Sequence, residues 1–445
     1  MRFREALIKS DPFGLSLSKP LLLQEMPFDR LRANGISHRF LGFLAAWALC
    51  FLLAACNGGG GGSDAPAAPG TPAPAPAPTP DSLTNVAPIS IDGGPFGSAS
   101  INALFVDVTV CVPGSQNCQT IDHVLVDTGS SGLRLIGRAL AAPWALPEVR
   151  TPSGQLAGAC GQFASGHTWG AMRSADVRIA GELASALPVQ IIGDSSVPEV
   201  APGDCSSVGP GWRTVAEMGA KGILGIGLFA EDCGVACEAR AIPGVYYACS
   251  GNACTPTALP RARQAKNPVT AFSRNNNGVL VRLPAVPAGG VARLAGSLIF
   301  GIGTGTNNQP GSATVFATDA RGNFTTVYKG RTMTASFIDS GSNALFFMDT
   351  SIPVCSRATD FYCPPSLLNL SATQLTRSGL SKVVSFALEN PDRLSASVRA
   401  VTVGGTEVLD GNSFDWGLPF FFGRDVFVAI ENRNTSIGQG PYWAW

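Results

Sequence analysis

His123-Val124-Leu125-Val126-Asp127-Thr128-Gly129-Ser130 is an apolar strand ending in an aspartate, a hydroxyl residue, a glycine and a second hydroxyl; it returns later in the chain as Ser336-Phe337-Ile338-Asp339-Ser340-Gly341-Ser342. β-Branched and bulky residues in such a run favour a half-buried strand, and the short polar residue with glycine favours a tight turn. One copy is a weak signal, because hydroxyl and glycine residues make ordinary turns. Two copies with a shared downstream feature read as a duplicated structural unit. That feature is a bulky pair and a glycine closing an apolar strand: Ile223-Leu224-Gly225 after Asp127, and Phe421-Phe422-Gly423 after Asp339.

The composition agrees with a β protein. Fifty-two glycines and 33 prolines in 445 residues, with Val- and Ile-rich runs between them, favour many turns and few, short helices. With 45% hydrophobic and 14% charged residues the chain is globular. Lys plus Arg equals Asp plus Glu at 31 each, so no long-range field points to nucleic acid or an anionic surface. No nucleic-acid partner is expected.

The N-terminus reads as an address rather than as fold. Residues 40–55, FLGFLAAWALCFLLAA, are apolar, too short for a comfortable membrane span, and preceded by Arg30, Arg32 and Arg39. Leu53-Ala54-Ala55-Cys56 resembles the bacterial lipobox, in which the cysteine thiol takes a lipid. The reading is a signal peptide over residues 1–55, with Met26 a second candidate start, and a lipidated Cys56. Residues 56–84, glycine-rich and then Pro/Ala-rich, form a flexible to extended tether. Contact with the membrane is therefore expected only through the lipid. Asn57 directs the expectation to the outer membrane of a bacterial envelope, facing the periplasm or the surface. Residues 81–100 are short and not notably basic, so no propeptide is expected.

In that oxidising compartment ten cysteines remain after Cys56, an even number that suits disulfides. Cys111 with Cys118, Cys355 with Cys363 and Cys160 with Cys205 are the expected pairs. Cys233, Cys237, Cys249 and Cys254 pair locally or nest, connectivity that sequence leaves open. A zinc site in that cluster is the rival reading, disfavoured by secretion and by the lack of a nearby histidine.

On its two aspartate loops and their downstream strands, the chain resembles the pepsin-like aspartic protease family, and also a group of proteobacterial lipoproteins with that fold. Gly222-Ile223-Leu224-Gly225-Ile226-Gly227, Gly296-Ser297-Leu298-Ile299-Phe300-Gly301 and the segment from Phe420 to Ile430 carry further likeness. The resemblance implies a mainly β, bilobed fold with two pseudo-symmetric lobes, residues 85–300 and 301–445. It implies an endopeptidase acting on polypeptide, with Asp127 and Asp339 catalytic, no cofactor and no metal, and a monomer is expected. Thr128 and Ser340 match hydroxyls that bond across to the opposite loop. Ser130 and Ser342 match those that bond the outer carboxylate oxygens, and Gly129 and Gly341 allow the tight turns.

Two carboxylates sharing one proton suit peptide hydrolysis, since one activates water while the other protonates the carbonyl oxygen. The family's flap matches Phe163-Ala164-Ser165-Gly166-His167-Thr168-Trp169-Gly170 and then Asp176-Val177-Arg178-Ile179-Ala180-Gly181, with Phe163, Ser165 and Gly166 as flap residues. Two departures stand out: Phe163 where a tyrosine is usual, and Arg134 where a tryptophan is usual. Trp169 is the available substitute partner. Serine or cysteine hydrolase chemistry would need a histidine base; after the leader only His123 and His167 are present, His123 reading as structural and His167 as a flap-tip side chain. The balanced charge points to a mildly acidic optimum. The other function class is a non-catalytic scaffold of this fold that binds polypeptide or glycan, which the altered flap favours.

Overall fold

The structure, a computed structural model, describes residues 85–95, 100–142, 145–356, 358–406 and 411–445. The signal segment, Cys56 and the tether lie outside the described residues. Among the described residues no helix is long and apolar enough to cross a membrane.

The strand Cys118–Asp127 is held on one side by antiparallel Leu104–Cys111. On its other side runs parallel Gly222–Ile226, with Val126 opposite Leu224 and Asp127 opposite Gly225. Beyond the Asp127 turn the chain comes back as Ser131–Ile136 along the far edge of Gly222–Ile226. The later strand thus passes between the outgoing and returning arms of the loop. Gly225 is required at the crossing, because a Cβ there would lie 2.7 Å from the Ser131 carbonyl carbon and 2.8 Å from the Ser130 hydroxyl.

The second half repeats the plan. Arg331–Ile338 runs parallel to Asp415–Trp416, with Phe337 opposite Asp415 and Ile338 opposite Trp416, and Leu345–Phe347 returns antiparallel on the other edge. The crossing strand is therefore Asp415-Trp416-Gly417, and not the expected Phe421-Phe422-Gly423. Leu418–Phe421 is a 3-10 turn, and Gly423, at φ 73°, leads the chain into Arg424–Ala429, which pairs with Gly278–Leu283. The cause is a single position. Asp415 stands where the first half has Ile223, so the apolar pair that marks the first crossing is broken in the second.

A 15-stranded sheet runs from the first half through Val86–Ile91, Leu294–Phe300 and Gly278–Leu283 to Arg424–Ala429 and Tyr442–Ala444. A 7-stranded sheet carries the Asp339 loop. The chain forms the expected mainly β, bilobed pepsin-like fold. In the second half Phe347, Phe414 and Trp416 stack at 4.7 and 4.1 Å between ring centres, fixing the crossing strand from one face.

Five disulfides staple the loops: Cys111–Cys118, Cys160–Cys205, Cys233–Cys237, Cys249–Cys254 and Cys355–Cys363. Three are the expected pairs, and the four-cysteine cluster pairs locally. Its sulfurs are bonded to one another and are not thiolate ligands for zinc.

Arg134 is the least expected core residue. It is 3% exposed and donates to Asp232 at 2.9 Å and to Gln190 at 3.0 Å; Tyr246 donates its hydroxyl to the same Asp232. Burial, and then the Asp232 charge, push the Tyr246 phenol well above its ordinary range. Removing one partner would strand the other charge in the core. Asp232→Asn is therefore expected to destabilise the fold by about 3–5 kcal/mol in chemical unfolding. Replacing Arg134 and Asp232 together by apolar residues should recover most of that loss.

Candidate active site

Each acidic loop holds its own carboxyl group in the same way. Gly129 N donates to Asp127 Oδ1 at 2.8 Å and Ser130 Oγ donates to Asp127 Oδ2. Gly341 N donates to Asp339 Oδ1 at 2.8 Å and Ser342 Oγ donates to Asp339 Oδ2 at 2.8 Å. The loops are tied to each other by reciprocal bonds. Ser340 N donates to Thr128 Oγ1 at 2.9 Å, and Thr128 N donates to Ser340 Oγ at 3.1 Å. Ser340 Oγ in turn donates to Val126 O at 2.7 Å. The structure thus brings together all eight residues that the sequence assigns to the acidic pair.

The halves meet closely. A Cβ on Gly129 would lie 2.7 Å from both Cγ and Oδ1 of Asp339, so only glycine lets the Asp127 loop approach the opposite carboxyl group. Asp127 and Asp339 are both fully buried. Burial raises the Asp339 carboxyl well above the ordinary range, and the charges of Asp127 and then Asp415 push it further; the bonds from Ser342 and Gly341 oppose the rise. One negative charge is accommodated in this pair more readily than two.

The hairpin read as a flap is Leu156–Phe163 with Gly166–Ile179, turning at Ala164 and Ser165. Its tip is fastened down. Phe163 is 3% exposed and packs on Trp212 with ring centres 5.4 Å apart. His167 N donates to Pro210 O at 2.9 Å, Trp212 N donates to His167 O at 2.8 Å, and Cys160–Cys205 anchors the same segment. Gly166 lets that segment pass, since a Cβ there would lie 2.4 Å from Pro210 O. Trp212, and not Trp169, is the aromatic partner of Phe163. Trp169 is committed elsewhere, donating Nε1 to Pro198 O at 2.7 Å and packing edge-on against Tyr247.

Both histidines have structural contacts. His123 lies beside Asp122 at 2.6 Å and Asp92 at 3.4 Å. His167 directs Nδ1 to Gly209 O at 3.0 Å, and burial lowers its pKa so that the neutral ring is favoured.

Residues 81–445 match the model of the family described as Protein of unknown function (DUF3443). The chain belongs to that family. No curated protein matches it. Among solved structures, an aspartic proteinase from Irpex lacteus is similar at 16% identity, with 81% of this chain and 96% of that chain covered and a TM-score of 0.46.

Proposed function

We propose that this chain is an aspartic endopeptidase that hydrolyses peptide bonds with a water activated between Asp127 and Asp339. The observation that carries the reading is the pair of mutually braced loops, which hold two buried carboxyl groups, Asp339 being raised by burial and by the neighbouring charges. The ionised carboxylate takes a proton from water as the oxygen attacks the peptide carbonyl, and the protonated carboxyl group gives its proton to the carbonyl oxygen. Collapse of the tetrahedral intermediate breaks the C–N bond, and the leaving nitrogen takes up a proton relayed through the pair. Ser130, Ser342, Gly129 and Gly341 orient the carboxyl oxygens, and Thr128 and Ser340 hold the loops in register. The substrate is polypeptide, the enzyme acts as a monomer, and the leader with Cys56 supports a lipid-anchored place in the bacterial envelope.

The fastened hairpin and the full burial of both carboxyl groups favour a second reading, a non-catalytic scaffold that binds polypeptide or glycan. One experiment separates the two. The full chain is incubated with an unfolded protein across about pH 3 to 7, with and without a statine-type inhibitor. Cleavage with a maximum in mild acid, blocked by the inhibitor, is expected. Thermal stabilisation by polypeptide or glycan with no cleavage at any pH would select the scaffold.

A further inference from the structure

Asp415 is a third carboxyl group at the acidic pair, and no step of the hydrolysis uses it. It is 1% exposed. Its place follows from strand register. Phe337 lies opposite Asp415 in a parallel pair, so their side chains share a face, and Asp339, two residues beyond Phe337, lies on that face too. The ladder continues to the acidic loop, with Phe337 N donating to Phe414 O at 3.2 Å and Asp339 N donating to Trp416 O at 3.1 Å. Phe414 and Trp416 turn to the opposite face, where they stack on each other and Phe414 also stacks on Phe347. The strand has little freedom to swing Asp415 away.

The first half builds the same crossing without a carboxyl group. The matching position of the first half is Ile223, opposite Leu125 and on the face of Asp127. An apolar side chain fills it, whereas a carboxyl group in its place has to be taken out of water. The other charges around the pair leave this asymmetry standing. In the first half Arg134, opposite Ile223, is paired with Asp232. In the second, the flanking strand Leu345–Phe347 is uncharged, with Phe346 opposite Asp415; Arg331 lies at the exposed start of its own strand, and Asp349 is bonded to Lys329 and Tyr328. Asp339 therefore feels two neighbouring carboxyl groups.

We propose that Asp415 is a positioning residue of the acidic pair: its charge biases the shared proton to Asp339 and leaves Asp127 as the base. The inference rests on the endopeptidase reading for its kinetic consequence, but the location of the proton is measurable without turnover. Asp415 acts through Asp339 and keeps the singly protonated pair populated to higher pH.

The test is a pH titration of the full chain carrying Asp415→Asn, read in two ways. In kcat/KM for a peptide substrate, the alkaline limb, where the shared proton is lost, is expected to move down by about one pH unit. Asp415→Glu, which keeps the charge, should largely restore it. In carbon-13 carboxyl spectra of aspartate-labelled protein, Asp339 should lose its proton about one unit earlier in Asp415→Asn than in the unsubstituted chain. A folded Asp415→Asn chain that is active with an unmoved limb and an unmoved Asp339 midpoint overturns the inference and leaves the endopeptidase reading intact. A lowered Asp339 midpoint with no turnover in any variant supports the inference and sinks that reading. Should Asp415→Asn fail to fold, the unsubstituted chain decides, because Asp415 must ionise before Asp339, and the reverse order overturns the proposal.

Discussion

Asp127→Asn and Asp339→Asn are each expected to lower kcat/KM for an unfolded polypeptide by about 10³-fold or more, with the double variant no slower than either single one. The amide matches the carboxyl group in shape, so packing around the loops changes little, but it can neither take a proton from water nor share one with the remaining carboxyl group. A general loss of structure would also abolish activity, and pH-dependent stability tells the two apart. Asp339 is held above its ordinary range, chiefly by burial and then by Asp127 and Asp415. A carboxyl group raised in this way binds its proton more tightly when folded, so its contribution to stability is full below the unfolded value of about 4 and is lost as pH rises through the folded value. Above the unfolded value, keeping Asp339 in the folded protein costs free energy, whether it retains its proton or ionises beside two other carboxyl groups. Asp339→Asn should therefore melt at the same temperature or higher at neutral pH while being inactive. Cleavage at the parent rate by Asp127→Asn would end the case for a shared-proton mechanism.

What the sequence revealed of this site and what it concealed have different physical causes. The two acidic loops are legible because their chemistry is local: an acceptor, a hydroxyl and a glycine within a few residues make the bonds from Gly129 and Ser130, and from Gly341 and Ser342, almost unaided. The Cys111–Cys118 and Cys355–Cys363 links are short-range in the same sense, with separations of 7 and 8 residues. The second crossing strand was hidden because Asp415 interrupts the apolar pattern, and Phe421-Phe422-Gly423 offered a better match to that pattern nearby. The partner of Phe163 was hidden by distance along the chain. Trp169 lies in the same hairpin, whereas Trp212 reaches Phe163 only because the segment around Pro210 folds back over Gly166. Arg134 reads as an anomaly until Asp232, 98 residues away, is placed beside it.

Gly417→Ala is expected to destabilise the protein by about 3 kcal/mol or more in chemical denaturation, well beyond the effect of Gly423→Ala. Gly417 has φ −63°, which suits any residue, so its requirement is wholly steric. A Cβ would lie 2.0 Å from Ala344 O and 2.8 Å from Ser342 O, both of them backbone atoms of the returning arm. No rotamer relieves a backbone contact, and Leu418 N already holds Ser342 O at 2.7 Å. The arm would have to move, and Ser342 with it, whose hydroxyl bonds Asp339 Oδ2. Stability and the order of the acidic pair should therefore fail together, and residual folded protein should lose activity in proportion to the loosening of Asp339. Gly423 differs in kind. At φ 73° it occupies the left-handed region, and its new Cβ would meet only Ala285, at 3.2 Å from the side chain and 3.4 Å from the backbone Cα. That substitution should cost about 1–2 kcal/mol and leave the pair undisturbed. The reverse ranking, with Gly423→Ala the more damaging, would return the crossing strand to Phe421-Phe422-Gly423 and remove Asp415 from the neighbourhood of Asp339.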